Sequence, residues 1–135
     1  MLTRREDANI SYRQTGSIGF CAGGGNSFRF ATEVPDLNAA VVYYGGTPPE
    51  AALANIKAPV LGLYGGKDQG IPLDTVDKMK AALAGGSAAA KASQFVVYPE
   101  AGHAFHADYR PSYIKEPAED GWRRAVAWFK ANGVA

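Results

Sequence analysis

A single cysteine in 135 residues rules out an internal disulfide. Cys21 is therefore a buried spectator, a reactive thiol or an intermolecular bridge, and its neighbours must decide. Long hydrophobic runs are missing as well. No apolar stretch approaches the roughly 20 residues that span a bilayer, and the opening Met1-Leu2-Thr3-Arg4-Arg5-Glu6-Asp7 turns polar at once, without an apolar signal-peptide core. This excludes a membrane partner and leaves a cytoplasmic location as the expectation. An excess of one charge is absent too: 14 Lys and Arg stand against 13 Asp and Glu, scattered rather than clustered. A chain with no net field has nothing to hold a nucleic acid or an anionic surface. Repeats and low-complexity tracts are also lacking.

What is present is a 47% hydrophobic chain, enough for one soluble globular domain with a single core. Apolar runs that stop at Gly or a turn alternate with stretches of helical period, the rhythm of a parallel sheet covered by helices. Four strands are expected at 17–20, 39–44, 60–64 and 95–98. Each is apolar on both faces, so each is expected between helices. A helix is expected just after Cys21 toward Thr32. Another has Pro72 near its first turn and Val76, Met79 and Leu83 on one face. In the last, Trp122, Ala125, Val126 and Phe129 follow the i, i+3, i+4, i+7 spacing of a core face, with Glu119 and Asp120 in the first turn.

Three residues carry chemistry. Gly19-Phe20-Cys21-Ala22-Gly23 has the G-x-nucleophile-x-G form of a strained strand-to-helix turn, with cysteine where serine is usual. Such a turn forces an unfavourable backbone conformation on the nucleophile, and its glycines let neighbouring chain pass close. The helix that follows aims its N–H groups at the sulfur and favours a thiolate. Asp68 follows the third strand in Gly65-Gly66-Lys67-Asp68, and His103 follows the fourth in Ala101-Gly102-His103-Ala104-Phe105. Singly, Cys21 reads as a small buried hydrophobe, Asp68 as a turn former and His103 as a loop histidine. Together they stand in the nucleophile, acid, histidine order of α/β-hydrolases, all at the C-terminal edge of the sheet. A metal site built from Glu100, His103, His106 and Asp108 is the rival. It is set aside because an irregular loop does not fix a ligand geometry; no metal and no cofactor are expected.

The motifs Gly-Phe-Cys-Ala-Gly-Gly-Gly at 19–25, Tyr-Tyr-Gly at 43–45, Pro-Val-Leu-Gly-Leu-Tyr-Gly-Gly-Lys-Asp at 59–68 and Gly-His-Ala-Phe at 102–105 resemble the dienelactone hydrolase family. The likeness covers nearly everything after Thr15. It implies a truncated α/β-hydrolase fold: about four mainly parallel strands with helices on both faces. It also implies a carboxylic-ester or lactone hydrolase with Cys21 as nucleophile, His103 as general base and then acid, and Asp68 orienting the imidazole. The Ala22 N–H is the expected oxyanion donor, and Phe20, Tyr44, Phe105, His106 and Tyr109 are the expected substrate contacts. Family members that act on dienelactone hold the substrate carboxylate with an arginine shortly after the histidine. Here His106 and Ala107 follow Phe105 and Arg110 is spaced differently, so a small ester, lactone or thioester is the expected substrate.

Only about fifteen residues precede the nucleophile strand, where the family has further strands and a second oxyanion donor. Residues 16–135 therefore read as the C-terminal half of the domain, and 1–15 as an extension placed to contact a partner. The exposed edge of the nucleophile strand is expected to pair with its mate in a homodimer. The competing expectation is a catalytically weak or inactive remnant that serves as an interaction module.

Overall fold

A computed structural model describes residues 14–134. The expected partner-contacting extension falls almost wholly outside them. In chain order the elements are β1 (Gly16–Phe20), α1 (Ala22–Glu33), β2 (Ala39–Tyr43), α2 (Glu50–Ala54), β3 (Val60–Gly65), α3 (Leu73–Ala84), α4 (Ala88–Ala92), β4 (Gln94–Tyr98) and α5 (Lys115–Ala131). The four strands form one parallel sheet in the order β1-β2-β3-β4. The pairing aligns Phe20 with Tyr43, Tyr43 with Leu63, and Leu63 with Val96.

Alternation along a strand sends successive side chains to opposite faces, and the contacts show what covers each. On one face Ser17 hydrogen-bonds Ser27 of α1 at 2.8 Å, the Phe95 ring lies 6.2 Å from Phe28 of α1, and the Tyr64 hydroxyl reaches Met79 of α3. On the other face lies α5, against β2 and β3, with Tyr98 bonded to Asp120 at 2.6 Å. The central strands β2 and β3 are buried throughout. The edge strands are not fully sandwiched as expected: β4 is half-buried, and Ile18 and Phe20 of β1 are only partly covered. One helix cannot roof four strands, and α5 sits over the middle two.

The last helix also begins earlier than the hydrophobic spacing indicates. Its first turn holds Glu116 and Pro117 rather than Glu119 and Asp120. Proline is tolerated there because first-turn N–H groups have no intrahelical acceptor. The change of start does not alter the face, and Ala125 is buried as expected, but Trp122 is 49% exposed. Two five-residue helices escaped the sequence reading, being too short to show a period. Of these, α4 is capped by Ser87, whose hydroxyl oxygen accepts from the Ala90 N–H at 3.1 Å, the usual serine cap.

Candidate active site

The loops at the C-terminal ends of β1, β3 and β4 bring Cys21, Asp68 and His103 together. Cys21 sits between β1 and α1 at φ 55°, ψ −120°, a conformation that L residues rarely adopt. It is held from both sides: its N–H donates to the Tyr43 carbonyl, and its carbonyl accepts from the Gly25 N–H, each at 3.1 Å. The turn is tight because chain passes close at two glycines. A Cβ on Gly19 would lie 1.8 Å from the Gly23 carbonyl oxygen, and one on Gly24 would lie 2.5 Å from that of Tyr43. Gly23, the second glycine of the motif, faces open space, so the close approach falls one residue later than the pattern indicates.

Asp68 is fixed more firmly than its partners. Its N–H bonds the Gly65 carbonyl at 3.2 Å, and its Oδ1 accepts from the Gly70 N–H at 2.9 Å. Its side chain is 2% exposed. The loop that carries it is tied to the histidine loop by the Lys67 N–H to the Ala101 carbonyl at 2.9 Å, and by the Lys67–Glu100 ion pair at 2.8 Å. That pair holds the exposed Glu100 carboxyl below its ordinary range through the Lys67 hydrogen bond and charge.

His103 joins the two. Its Nδ1 lies 2.7 Å from Asp68 Oδ2 and its Nε2 lies 3.0 Å from Cys21 Sγ. A carboxylate only accepts hydrogen bonds, so Nδ1 carries a proton and Nε2 is left to exchange one with the sulfur. An imidazole oriented in this way can deprotonate a thiol and later protonate a leaving group.

Beside the sulfur lies a cavity of about 370 Å³, lined by Phe20, Cys21, Tyr44, Ala104, His106, Ala107, Asp108, Tyr109 and Arg110. Among the described residues the only non-glycine positions with positive φ are Cys21, Tyr44 (38°) and Ala104 (60°), and all three line this cavity. Backbone strain is thus concentrated at one place. The Tyr44 ring lies 5.0 Å from that of His103. Burial and the neighbouring Cys21 push its phenol up to about 12, against a hydrogen bond with the His106 backbone that acts the other way, so the hydroxyl stays protonated.

Four of the five expected substrate contacts, Phe20, Tyr44, His106 and Tyr109, line the cavity. Phe105 does not. It is fully buried, packed against Tyr43, Tyr44 and Tyr98, because alternation around the left-handed turn at Ala104 sends it into the core behind Tyr44. Ala22 opens α1, where first-turn N–H groups lack intrahelical partners. Sequence reasoning missed Ala104, Ala107, Asp108 and Arg110 as lining, the last having been set aside for its spacing, since an irregular loop has no period to reveal its facing. Trp122, read as core, instead stacks on His106 at 5.9 Å. Among the described residues, no group of three or more His, Cys, Asp or Glu side chains is placed to hold a metal ion, and no helix is long and apolar enough to cross a membrane.

The sequence model of the dienelactone hydrolase family matches residues 2–133. A protein of Methylorubrum extorquens, provisionally named carboxymethylenebutenolidase, is 52% identical over 130 residues, covering 89% of this chain and 44% of its own length. One of Escherichia coli K12 with the same provisional name is 45% identical over 125 residues, covering 85% of this chain and 45% of its own length. The crystal structure of a provisionally named dienelactone hydrolase from Klebsiella pneumoniae is 45% identical with a TM-score of 0.81, over 91% of this chain and 54% of that one. The chain thus spans about half the length of the relatives it matches.

Proposed function

Because the chain belongs to the dienelactone hydrolase family, we propose that it hydrolyses small carboxylic esters or lactones through a Cys21–His103–Asp68 triad. The observation that carries this is the unbroken hydrogen-bonded chain from sulfur to imidazole at 3.0 Å and from imidazole to buried carboxylate at 2.7 Å. His103 Nε2 takes the thiol proton as the sulfur attacks the carbonyl carbon, and the Ala22 N–H stabilises the oxyanion. Collapse of this intermediate breaks the ester C–O bond. The leaving alkoxide receives the proton from His103, and an acyl thioester remains on Cys21. A water molecule, deprotonated by His103, then attacks the thioester, releasing the acid and restoring the thiol. Asp68 keeps the imidazole in one tautomer and supports its charged form throughout. A cytoplasmic setting, which keeps a free thiol reduced, suits this chemistry. Short-chain p-nitrophenyl ester hydrolysis should be measurable, vanish in Cys21→Ala and His103→Ala, and be blocked by thiol alkylation. Activity equal to that of Cys21→Ala across esters, lactones and thioesters would refute the proposal.

That outcome would favour the second reading, an interaction module, which has its own support. Residues 16–135 correspond in this reading to the C-terminal half of a hydrolase domain. Among the described residues β1 pairs only with β2, and Phe20 at its end is 37% exposed. An edge with no further strand beside it among the described residues, next to an exposed aromatic ring, invites pairing. We place the partner as a second copy, joined β1 to β1 about a two-fold axis. Size-exclusion chromatography with light scattering should report a dimer at micromolar concentration; a stable monomer removes this assembly.

A further inference from the structure

A second cavity, of about 410 Å³, lies against the first and is lined by His106, Asp108, Tyr113, Ala118, Glu119, Trp122 and Arg123. His106 and Asp108 line both cavities. The His106 ring stands between the two as the middle of a stacked row: Phe20 lies 5.3 Å from it at 23° on the side of the first cavity, and Trp122 lies 5.9 Å from it at 28° on the side of the second. Tyr43 closes the row from below at 5.0 Å. The His106 Nδ1 is buried without a hydrogen-bond partner among the described residues, so that nitrogen adds nothing to the packing. A buried nitrogen that bonds nothing is unfavourable, so an apolar atom would suit the Nδ1 position better. What the ring does at that position is stand between the two hollows.

We infer that His106, flanked by Asp108, is the size filter of this site: it confines the acyl group of an ester to the cavity beside Cys21 and separates that cavity from the neighbouring open groove, along which a longer acyl group would lie. The inference rests on the proposed hydrolysis for its substrate class, but not for its geometry. Removing the imidazole joins hollows of about 370 and 410 Å³ into one elongated groove that runs from the sulfur to Trp122. A medium-length alkyl chain would then lie along Phe20 and Trp122. Apolar burial favours such a chain by up to roughly fourfold in affinity per methylene.

Two ratios test this on the intact chain. The first is kcat/KM for p-nitrophenyl octanoate over that for the acetate. The second is the rate of Cys21 alkylation by N-octylmaleimide over that by N-ethylmaleimide, followed by intact mass. His106→Ala should raise both ratios about tenfold or more, whereas His106→Phe, which keeps the ring, should leave both near the wild-type values. Asp108→Ala, on an exposed loop residue, should raise them in the same direction by about threefold or more, and decides the matter if His106→Ala does not fold. Unchanged ratios in the folded variants overturn the inference, as does a rise in His106→Phe equal to that in His106→Ala. If the wild-type chain hydrolyses no ester, the hydrolase reading fails by itself, and the maleimide ratio alone then upholds or overturns the filter.

Discussion

Replacing Gly19 by alanine tests whether the turn that holds Cys21 is as tight as its geometry requires. The added Cβ would lie 1.8 Å from the Gly23 carbonyl oxygen, 2.2 Å from its carbon and 2.7 Å from the Gly24 nitrogen, whereas real Cβ atoms essentially never come within 3.0 Å of a neighbour. All three obstacles are backbone in the first turn of α1, so no side chain can swing aside. The turn must open by about 1.2 Å, more than the overpacking of a core that costs about 1–3 kcal/mol, which places the penalty near or above the upper figure. At roughly 4 °C per kcal/mol for a chain of this size, the melting midpoint should fall by about 12 °C. The same opening carries Cys21 Sγ away from His103 Nε2, now 3.0 Å distant, and a misplacement of about 1 Å costs about 10²-fold in rate. Gly23→Ala is the control, because nothing lies within 4 Å of its Cβ. Circular dichroism melts and Cys21 alkylation rates report both effects. A Gly19→Ala chain that melts within about 2 °C of wild type and alkylates at the wild-type rate would refute the reasoning.

Asp68→Asn keeps the size of the side chain but removes the acceptor that fixes His103 Nδ1–H; kcat for ester hydrolysis should drop about 10³- to 10⁴-fold, and a loss under about tenfold would deny Asp68 its role. Alkaline stability should be limited by buried phenols. Burial raises Tyr43, Tyr44, Tyr64 and Tyr98, so the folded chain holds their protons more tightly than the unfolded one. Stability is therefore complete below about pH 10 and falls as pH rises toward the folded values. The part of the 295 nm absorbance change that belongs to these four buried phenols should coincide with the loss of circular dichroism, and ionisation of all seven tyrosines well ahead of unfolding would contradict the burial. Asp120→Asn should weaken the hold of α5 on β4 by about 1 kcal/mol, since the carboxylate accepts from Tyr98 at 2.6 Å and Arg124 at 2.7 Å but is one-third exposed. Those partners, Tyr98 first, hold Asp120 below the ordinary carboxylate range, so its contribution is present above about pH 4 and disappears as pH falls through the folded value. Melts at neutral pH should separate variant from wild type, and melts near pH 2 should bring them together.

The sequence is legible where a local rule acts alone. Val41, Val42, Leu61 and Leu63 announce buried parallel strands because a strand covered on both faces needs apolar side chains at every position. Gly19 before Cys21 announces the turn because only a residue without a Cβ lets the first turn of α1 return so close. Cys21, Asp68 and His103 could be grouped before any coordinates, since each ends a strand of one parallel sheet and such ends share a rim. Where two elements compete for a side chain, the same reading fails. Trp122 has the spacing of a core residue, but α5 lies over β2 and β3, so the position that the helical period directs inward meets the ring of His106 and solvent. Phe105 follows the histidine directly, yet the left-handed turn at Ala104 rotates it into the core.

These two failures have one origin. The loop from His103 to Ile114 carries no repeat, and the left-handed residue Ala104 within it decides which side chains face the sulfur. The turn puts Phe105 beneath Tyr44 and His106 above Phe20, so the buried ring supports the pocket and the half-buried ring bounds it. Alanine in that conformation costs about 1 kcal/mol that glycine would not. The strain is compatible with a stable chain only because neighbouring contacts fix the loop on both sides: Asp68 grips His103, and the Ile114 N–H bonds the Phe105 carbonyl at 3.2 Å. The position of His106 between the two cavities therefore follows from the same anchor that positions the imidazole of His103, which is why loosening Asp68 should disturb the pocket wall as well as the proton path.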